Sequence, residues 1–186
     1  ILDANKEASG LDYFKLGETA ISPGQEYLAW SHDANGSEYF TIKIREIATG
    51  KDLSDILTNT SSVIAWSLNA RFIFYILLDE NHRPSKVMRH KIGTSQADDV
   101  LVYDEEDAGF FVSLSQSRSE SLIFISAHDH ETSEVHMINA ADPEQKPVTI
   151  APREPHIEYD VSHDAQRNRL IILTNMDAVD FRIMWA

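Results

Sequence analysis

The chain has 186 residues, 42% of them hydrophobic and 25% charged, with 30 acidic against 16 basic side chains and a formal charge of −14. That size suits one ordinary domain or a piece of a larger one, and the composition excludes a disordered or fibrous chain. So acidic a chain repels phosphate backbones and anionic lipid surfaces, so no nucleic acid and no membrane is expected as a partner, and the absence of cysteine removes disulfides, thiolate catalysis and cysteine-ligated metal centres.

No apolar run approaches the ~18 residues of a membrane span, and no signal-peptide pattern opens the chain. A cysteine-free chain of this kind fits a cytoplasmic protein. It opens on Ile1-Leu2 without a methionine and stops at Met184-Trp185-Ala186 inside an apolar strand pattern, so a segment of a longer protein is expected.

Residues 1–17 form a lead-in, with Leu2, Leu11, Tyr13, Phe14 and Leu16 around the polar Asn5-Lys-Glu-Ala-Ser-Gly10. One short helical turn and a strand are predicted there. Residues 18–62 read as a four-stranded unit. Thr19–Ser22 is followed by a Pro23-Gly24 turn, the continuous apolar run Tyr27–Ser31 and an Asp33-Ala-Asn-Gly36 hairpin turn. The alternating Tyr39–Arg45 and an outer strand Asp52–Leu57 complete it. Residues 63–108 repeat the pattern at Val63–Trp66, Phe72–Leu78, Lys86–Ile92 and Asp99–Tyr103. Residues 109–150 do so at Phe110–Leu114, Leu122–Ala127, Glu134–Ile138 and Val148–Ile150. A truncated unit, 151–186, supplies Ile157–Val161, Leu170–Thr174 and Phe181–Trp185, for fifteen predicted strands.

The repeat is clearest where a polar turn enters the second strand. Ser22-Pro-Gly-Gln-Glu-Tyr-Leu-Ala-Trp30, Ser67-Leu-Asn-Ala-Arg-Phe-Ile-Phe-Tyr75, Ser117-Arg-Ser-Glu-Ser-Leu-Ile-Phe-Ile125 and Ala165-Gln-Arg-Asn-Arg-Leu-Ile-Ile-Leu173 share one shape. Aligning Leu28, Ile73, Ile123 and Ile171 gives spacings of 45, 50 and 48 residues. A period of roughly 40–50 residues with four short strands per unit is the signature of a β-propeller blade. The expected fold is therefore all-β: a partial propeller of about three complete blades plus most of a fourth. A β-sandwich also suits many short strands, but repetition of one unit favours the propeller.

Few residues carry chemistry. There is no Gly-x-Ser-x-Gly elbow and no glycine-rich phosphate loop, so no catalytic residue, cofactor or metal is assigned. His128-Asp-His130 with His136 nearby is weighed as a metal site, because alternate strand residues share a face. Its place at a hairpin loop favours plain solvation, and His82, His90, His156 and His163 are scattered without ligand spacing. Asp104-Glu-Glu-Asp107 reads as a solvated loop or, near a channel, as a field that draws in basic peptides. Trp30, Trp66 and Trp185 sit at strand ends and read as core. Arg153-Glu-Pro-His-Ile-Glu-Tyr159 packs more charge than a plain connector needs, for no reason visible in the sequence.

Val87-Met-Arg-His-Lys-Ile-Gly-Thr94, Val102-Tyr-Asp-Glu-Glu-Asp-Ala-Gly-Phe-Phe-Val-Ser-Leu114, Thr132-Ser-Glu-Val135 and His156-Ile-Glu-Tyr159 resemble, in order, the propeller of the oligopeptidase B (protease II) group of the prolyl oligopeptidase family of serine peptidases. The resemblance covers essentially the whole chain. It departs at Ser22-Pro-Gly24, where such blades often carry Pro-Asp-Gly, a change to a turn. It implies a seven-bladed propeller that serves as lid and size filter over a hydrolase domain of the same parent chain, admitting short Arg- or Lys-containing peptides. That domain would carry the Ser, Asp and His that cleave, and none of them is expected in this chain. Seven such units need well over 300 residues, so an isolated half ring would leave apolar flanks uncovered and is expected to self-associate. A propeller scaffold for protein interactions, unattached to any enzyme, is the alternative; against it, Trp30, Trp66 and Trp185 are followed by Ser31, Ser67 and Ala186 rather than by Asp.

Overall fold

A computed structural model describes residues 1–186. After a one-turn helix α1 (Ala4–Glu7), the chain runs through β1 (Lys15–Ile21), β2 (Tyr27–Asp33), β3 (Phe40–Glu46), β4 (Lys51–Trp66), β5 (Phe72–Leu78), β6 (Pro84–Lys91) and β7 (Val100–Asp104). Then follow β8 (Phe111–Gln116), β9 (Leu122–His128), β10 (Ser133–Asn139), β11 (Val148–Ala151), β12 (Tyr159–Asp164), β13 (Arg169–Thr174) and β14 (Arg182–Trp185). They form antiparallel sheets of seven, four and three strands, each in sequence order.

Fourteen strands replace the fifteen predicted because β4 is continuous. Its first half pairs with β3 (Glu46↔Lys51, Ile42↔Leu57) and its second with β5 (Ile64↔Tyr75, Trp66↔Ile73). Thr60 pairs in both directions, with Phe40 and with Leu77, and its hydroxyl donates to the Phe40 carbonyl at 3.0 Å. The intervening Thr58-Asn-Thr-Ser-Ser62 holds no Gly or Pro to stop a strand, so the two predicted strands Asp52–Leu57 and Val63–Trp66 fuse.

The serine-headed turns have a common mechanism. Ser22, Ser67 and Ser117 each accept, on Oγ, the amide of the residue five further on (Tyr27, Phe72, Leu122) at 3.0 Å. Each also donates its own amide to that residue's carbonyl. In each turn the third residue after the serine sits at positive φ: Gln25 at 61°, Ala70 at 54° and Glu120 at 60°. In the fourth unit Asp164 takes the serine's place. It pairs with Arg169 and accepts the Arg169 Nε at 3.0 Å, so Leu170 rather than Ile171 is the counterpart of Leu28.

Why the second strands are continuous apolar runs is visible in β5. Successive strand residues point to opposite faces. Ile73 and Tyr75 enter a cluster with Ala29, Ile42, Ile44 and Leu57 from the preceding unit, while Phe74 and Ile76 enter one with Val112, Leu114, Ile123 and Ile125 of the next. Burial on both faces requires apolar residues at every position. The third interface is smaller, with Phe124 and Val135 against Tyr159 and Val161. Beyond it the last sheet stands open: all of β14 is exposed, and Trp185, expected in the core, is 70% exposed because no further sheet covers it. At the other end Arg45 pins the lead-in, donating to Glu7 at 2.8 Å, to Asp52 at 2.6 Å and to the Ile1 carbonyl at 3.3 Å.

Candidate functional site: the cleft between first strands

β1 packs beside the second half of β4, which packs beside β8. Between them lies a cleft of about 480 Å³, walled by Ala20, Ile21, Val63, Ile64 and Leu114 and bearing Glu18 and Glu120, with no basic side chain in its lining. Trp66 ties the walls together. Its indole N–H donates to the Ala20 carbonyl at 3.0 Å, and Gln116 Nε2 donates to the Trp66 carbonyl at 3.0 Å. Glu18 reaches solvent, yet burial against the walls raises its carboxyl pKa, with a hydrogen bond from Ile64 opposing. The arrangement can attract a cation. It holds no nucleophile–base pair, and its two carboxylates escaped the sequence reading because one lies in a strand and the other in a turn.

The weighed metal residues are not gathered. His128 and His130 lie exposed at the β9–β10 hairpin, where Asp129 Oδ1 accepts the amides of Glu131 and Thr132 at 2.8 and 2.7 Å. His136 faces away to Glu134 at 3.0 Å and Thr149 at 3.0 Å and packs on Tyr103. No group of three or more His, Cys, Asp or Glu side chains is placed to hold a metal ion.

The acidic run Asp104–Asp107 lies at the end of β7, the outermost strand of its unit, away from the cleft. Asp104 pairs with Lys86 at 3.5 Å. Glu105, only 5% exposed, accepts Tyr103 Oη at 2.8 Å, the Asp107 amide at 3.0 Å and the Arg153 guanidinium at 2.5 Å. Burial would raise its carboxyl, but Arg153 and Tyr103 outweigh it and the pKa is lowered. Arg153 stacks 3.7 Å above the Phe110 ring, and Arg83 holds the carbonyls of Glu105, Asp107 and Phe110. The run is therefore half fastening rather than a free acidic field. Acid is spent likewise at the hairpins, where Asp33, Asp79 and Asp129 cap amides of their own turns.

The charged connector Arg153–Tyr159 now has its reason. Besides the Arg153 bridge, Tyr159 reaches from β12 into the bulge between β10 and β11. Its hydroxyl accepts the Val135 amide at 2.7 Å and donates to the Ala151 carbonyl at 2.6 Å. His90, read as scattered, is fully buried between two carboxylates: Nδ1 lies 2.6 Å from Asp99 and Nε2 2.9 Å from Asp55. Asp55 belongs to the first half of β4 and His90 to β6, so the triad fastens one unit to the next. Tyr75 Oη donates to Asp99 at 2.8 Å.

Comparison with known proteins agrees with this architecture. The family model described as prolyl oligopeptidase, N-terminal β-propeller domain, matches residues 1–186. Dipeptidyl aminopeptidase BI of Pseudoxanthomonas mexicana is 36% identical over 188 residues, covering 100% of the chain and 26% of that protein. Protease 2 of Moraxella lacunata is 32% identical, covering 99% of the chain and 27% of that protein. The structure of oligopeptidase B from Leishmania major superposes with a TM-score of 0.94 at 28% identity, over 100% of the chain and 26% of its own. The chain thus spans about a quarter of the length of the relatives it matches. With its three sheets in sequence order and its whole length matched, the chain belongs to the prolyl oligopeptidase family, as part of the N-terminal β-propeller domain.

Proposed function

We propose that the chain is a non-catalytic propeller segment of an oligopeptidase B-like serine peptidase, gating the access of short basic peptides to a hydrolase domain of a longer parent chain. Likeness to oligopeptidase B over the whole chain supports the peptidase assignment. The cleft between first strands, with Glu18 and Glu120 and no lining cation, is the observation that carries the preference for basic peptides. Its blades would be 18–62, 63–108, 109–150 and a partial 151–186, following a lead-in of 1–17, the seven-stranded sheet being two blades joined through β4.

The test uses the parent chain and the isolated segment together. The segment alone is expected to leave Arg- and Lys-containing reporter peptides uncut. In the parent, KM for a dibasic peptide should rise with salt, because exposed charge attraction is screened over about 10 Å at 0.1 M. The change of Glu18→Gln with Glu120→Gln should raise KM severalfold and flatten that salt response. Turnover by the segment, or a KM indifferent to both salt and the double change, would reject the proposal.

The open flank has a consequence of its own. Ile183, Trp185 and Val179 are 66%, 70% and 94% exposed beside the unpaired edge of β14. Such an edge recruits another strand. The isolated segment should sediment as dimers or larger species at micromolar concentration, and Ile183→Lys should return it toward monomer. A monomeric profile of the unaltered segment counts against this.

A further inference from the structure

A groove of about 570 Å³ runs along the outer edge of the second unit, away from the cleft between first strands. One wall is β7, which ends the seven-stranded sheet and pairs only with β6, so alternate amides and carbonyls on its far side have no partner strand. Successive strand side chains point to opposite faces. A cavity lined by both Val100 and Leu101 therefore follows the edge of the strand rather than one of its faces. The other wall is the β10–β11 connection, at residues 144–147.

This edge differs from the other outer edges. Strand edges are commonly blunted by charge or proline. The outer half of β4 carries Lys51, Asp52 and Asp55, and β11 lies between Pro147 and Pro152. By contrast β7 opens with Val100, Leu101, Val102 and Tyr103, the first two of them exposed, with neither charge nor proline. Its groove holds an unpaired cation. Arg89 Nη1 donates across the units to the Pro143 carbonyl at 2.8 Å, and the guanidinium lies 5.4 Å above the Phe72 ring. Nε is shut away from solvent with no acceptor, Nη2 makes no hydrogen bond within the protein, and no carboxylate pairs with the group. Those two nitrogens share one edge of the guanidinium, the pair of donors that a carboxylate accepts side-on. Lys146, on the opposite wall, forms no ion pair either, and Glu144 near it is exposed and is the one acidic residue of the lining. In a chain of formal charge −14 that is a distinct local chemistry.

We propose that β7 is a docking edge for an extended segment of a partner protein that carries an acidic side chain among apolar ones. The segment adds to the sheet as a further strand, its main chain bonded to β7. Its carboxylate takes Nε and Nη2 of Arg89, with Lys146 adding attraction, and its apolar side chains rest on Val100 and Leu101. Charge selects this occupant, because a second copy of the chain paired through the same edge would set one cationic groove against another. The inference does not depend on the peptidase reading.

The test uses the full parent chain and the fluorescein-labelled peptide Thr-Val-Glu-Val-Thr, which offers no Arg or Lys for cleavage. Saturable binding is expected by fluorescence anisotropy, with about a tenfold loss when Gln replaces the Glu of the peptide. Bound peptide should slow hydrogen exchange at residues 100–104, the readout of an added strand. Arg89→Gln should erase the preference for Glu over Gln. Because Arg89 also holds the neighbouring loop, Lys146→Glu, a change at an exposed position, serves as a second variant and should weaken the peptide severalfold. Equal affinity for the two peptides, exchange at residues 100–104 unmoved by the peptide, or undiminished binding in Lys146→Glu would overturn the proposal. So would exchange there that is already slow in the parent alone, which assigns the edge to another segment of the parent, or that slows as protein concentration rises, which assigns it to a second copy.

Discussion

Replacing His90 by alanine is expected to destabilise the chain by about 3–5 kcal/mol, the usual cost of removing one partner from a buried ionic group. At roughly 2–4 °C per kcal/mol for a domain of this size, the thermal midpoint should fall by about 6–20 °C. The imidazole is fully buried, and the side chains of Asp55 and Asp99 are each 1% exposed. Without the ring, two buried carboxylates face one another, and Asp55 Oδ2 already lacks any hydrogen-bond partner. A loss below about 1 kcal/mol, the scale of an exposed ion pair, would mean that the triad contributes no more than a surface contact.

The same triad sets a pH dependence. Burial alone pulls the His90 pKa down, but hydrogen bonds with Asp99 and then Asp55 outweigh it and hold the pKa above its ordinary 6.5. The other titratable group facing the triad is Tyr75, whose hydroxyl is pushed up by burial and stays neutral. A group with a raised folded pKa binds its proton more tightly when folded. Its stabilisation is complete below pH 6.5, the unfolded value, and is lost as pH rises through the folded value. Denaturant midpoints should therefore fall as pH rises above about 6.5 in the native chain, and fall less in His90→Gln, which cannot carry the charge. Identical slopes for the two proteins would show that His90 is neutral when folded.

Tyr159→Phe is expected to cost about 2–4 kcal/mol, far more than deleting one oxygen from a surface tyrosine. The hydroxyl stands in for a missing rung of the β10–β11 ladder, accepting from Val135 and donating to Ala151 across the bulge. Removing it strands a buried amide and a carbonyl, each worth about 1–3 kcal/mol when left unsatisfied. Val135 is 1% exposed, so water has no easy route to the amide. Exchange of the Val135 amide hydrogen should quicken in the variant before global unfolding does. Unchanged exchange with a small stability loss would assign the hydroxyl a purely local role.

Both effects arise at residues whose neighbours are remote in the chain, and that divides what was legible from what was not. Local signals fixed the strands, since the spacing of polar turns and apolar runs needs only near neighbours. Phe72–Leu78 lies where the pattern places it, and the three serine-headed turns share one hydrogen-bond scheme. The errors were local as well. Without a Gly or Pro the Thr58–Ser62 stretch gave no sign of whether the strand stops, and Asp164 replaced serine one residue early. Trp185 reads as core from its apolar neighbours, because a pattern records which residues want cover and not whether cover is present.

The candidate sites were less legible still. Glu18 and Glu120 are 102 residues apart, and nothing in either neighbourhood announces that β1, β4 and β8 bring them to one cleft. Glu105 looks like one acid in a solvated run until Arg153, 48 residues later, folds onto it. His90 carries no ligand spacing at all, since Asp55 and Asp99 reach it from different elements. By itself the sequence determined the all-β repeat, the lack of cysteine and of a nucleophile elbow, and the acidity. Only the tertiary structure decided which acids are free to meet a ligand and which are consumed as fastenings. The reason is that a carboxylate's role depends on its burial and on the donors within about 3 Å, which the stacking of sheets supplies and the order of residues does not.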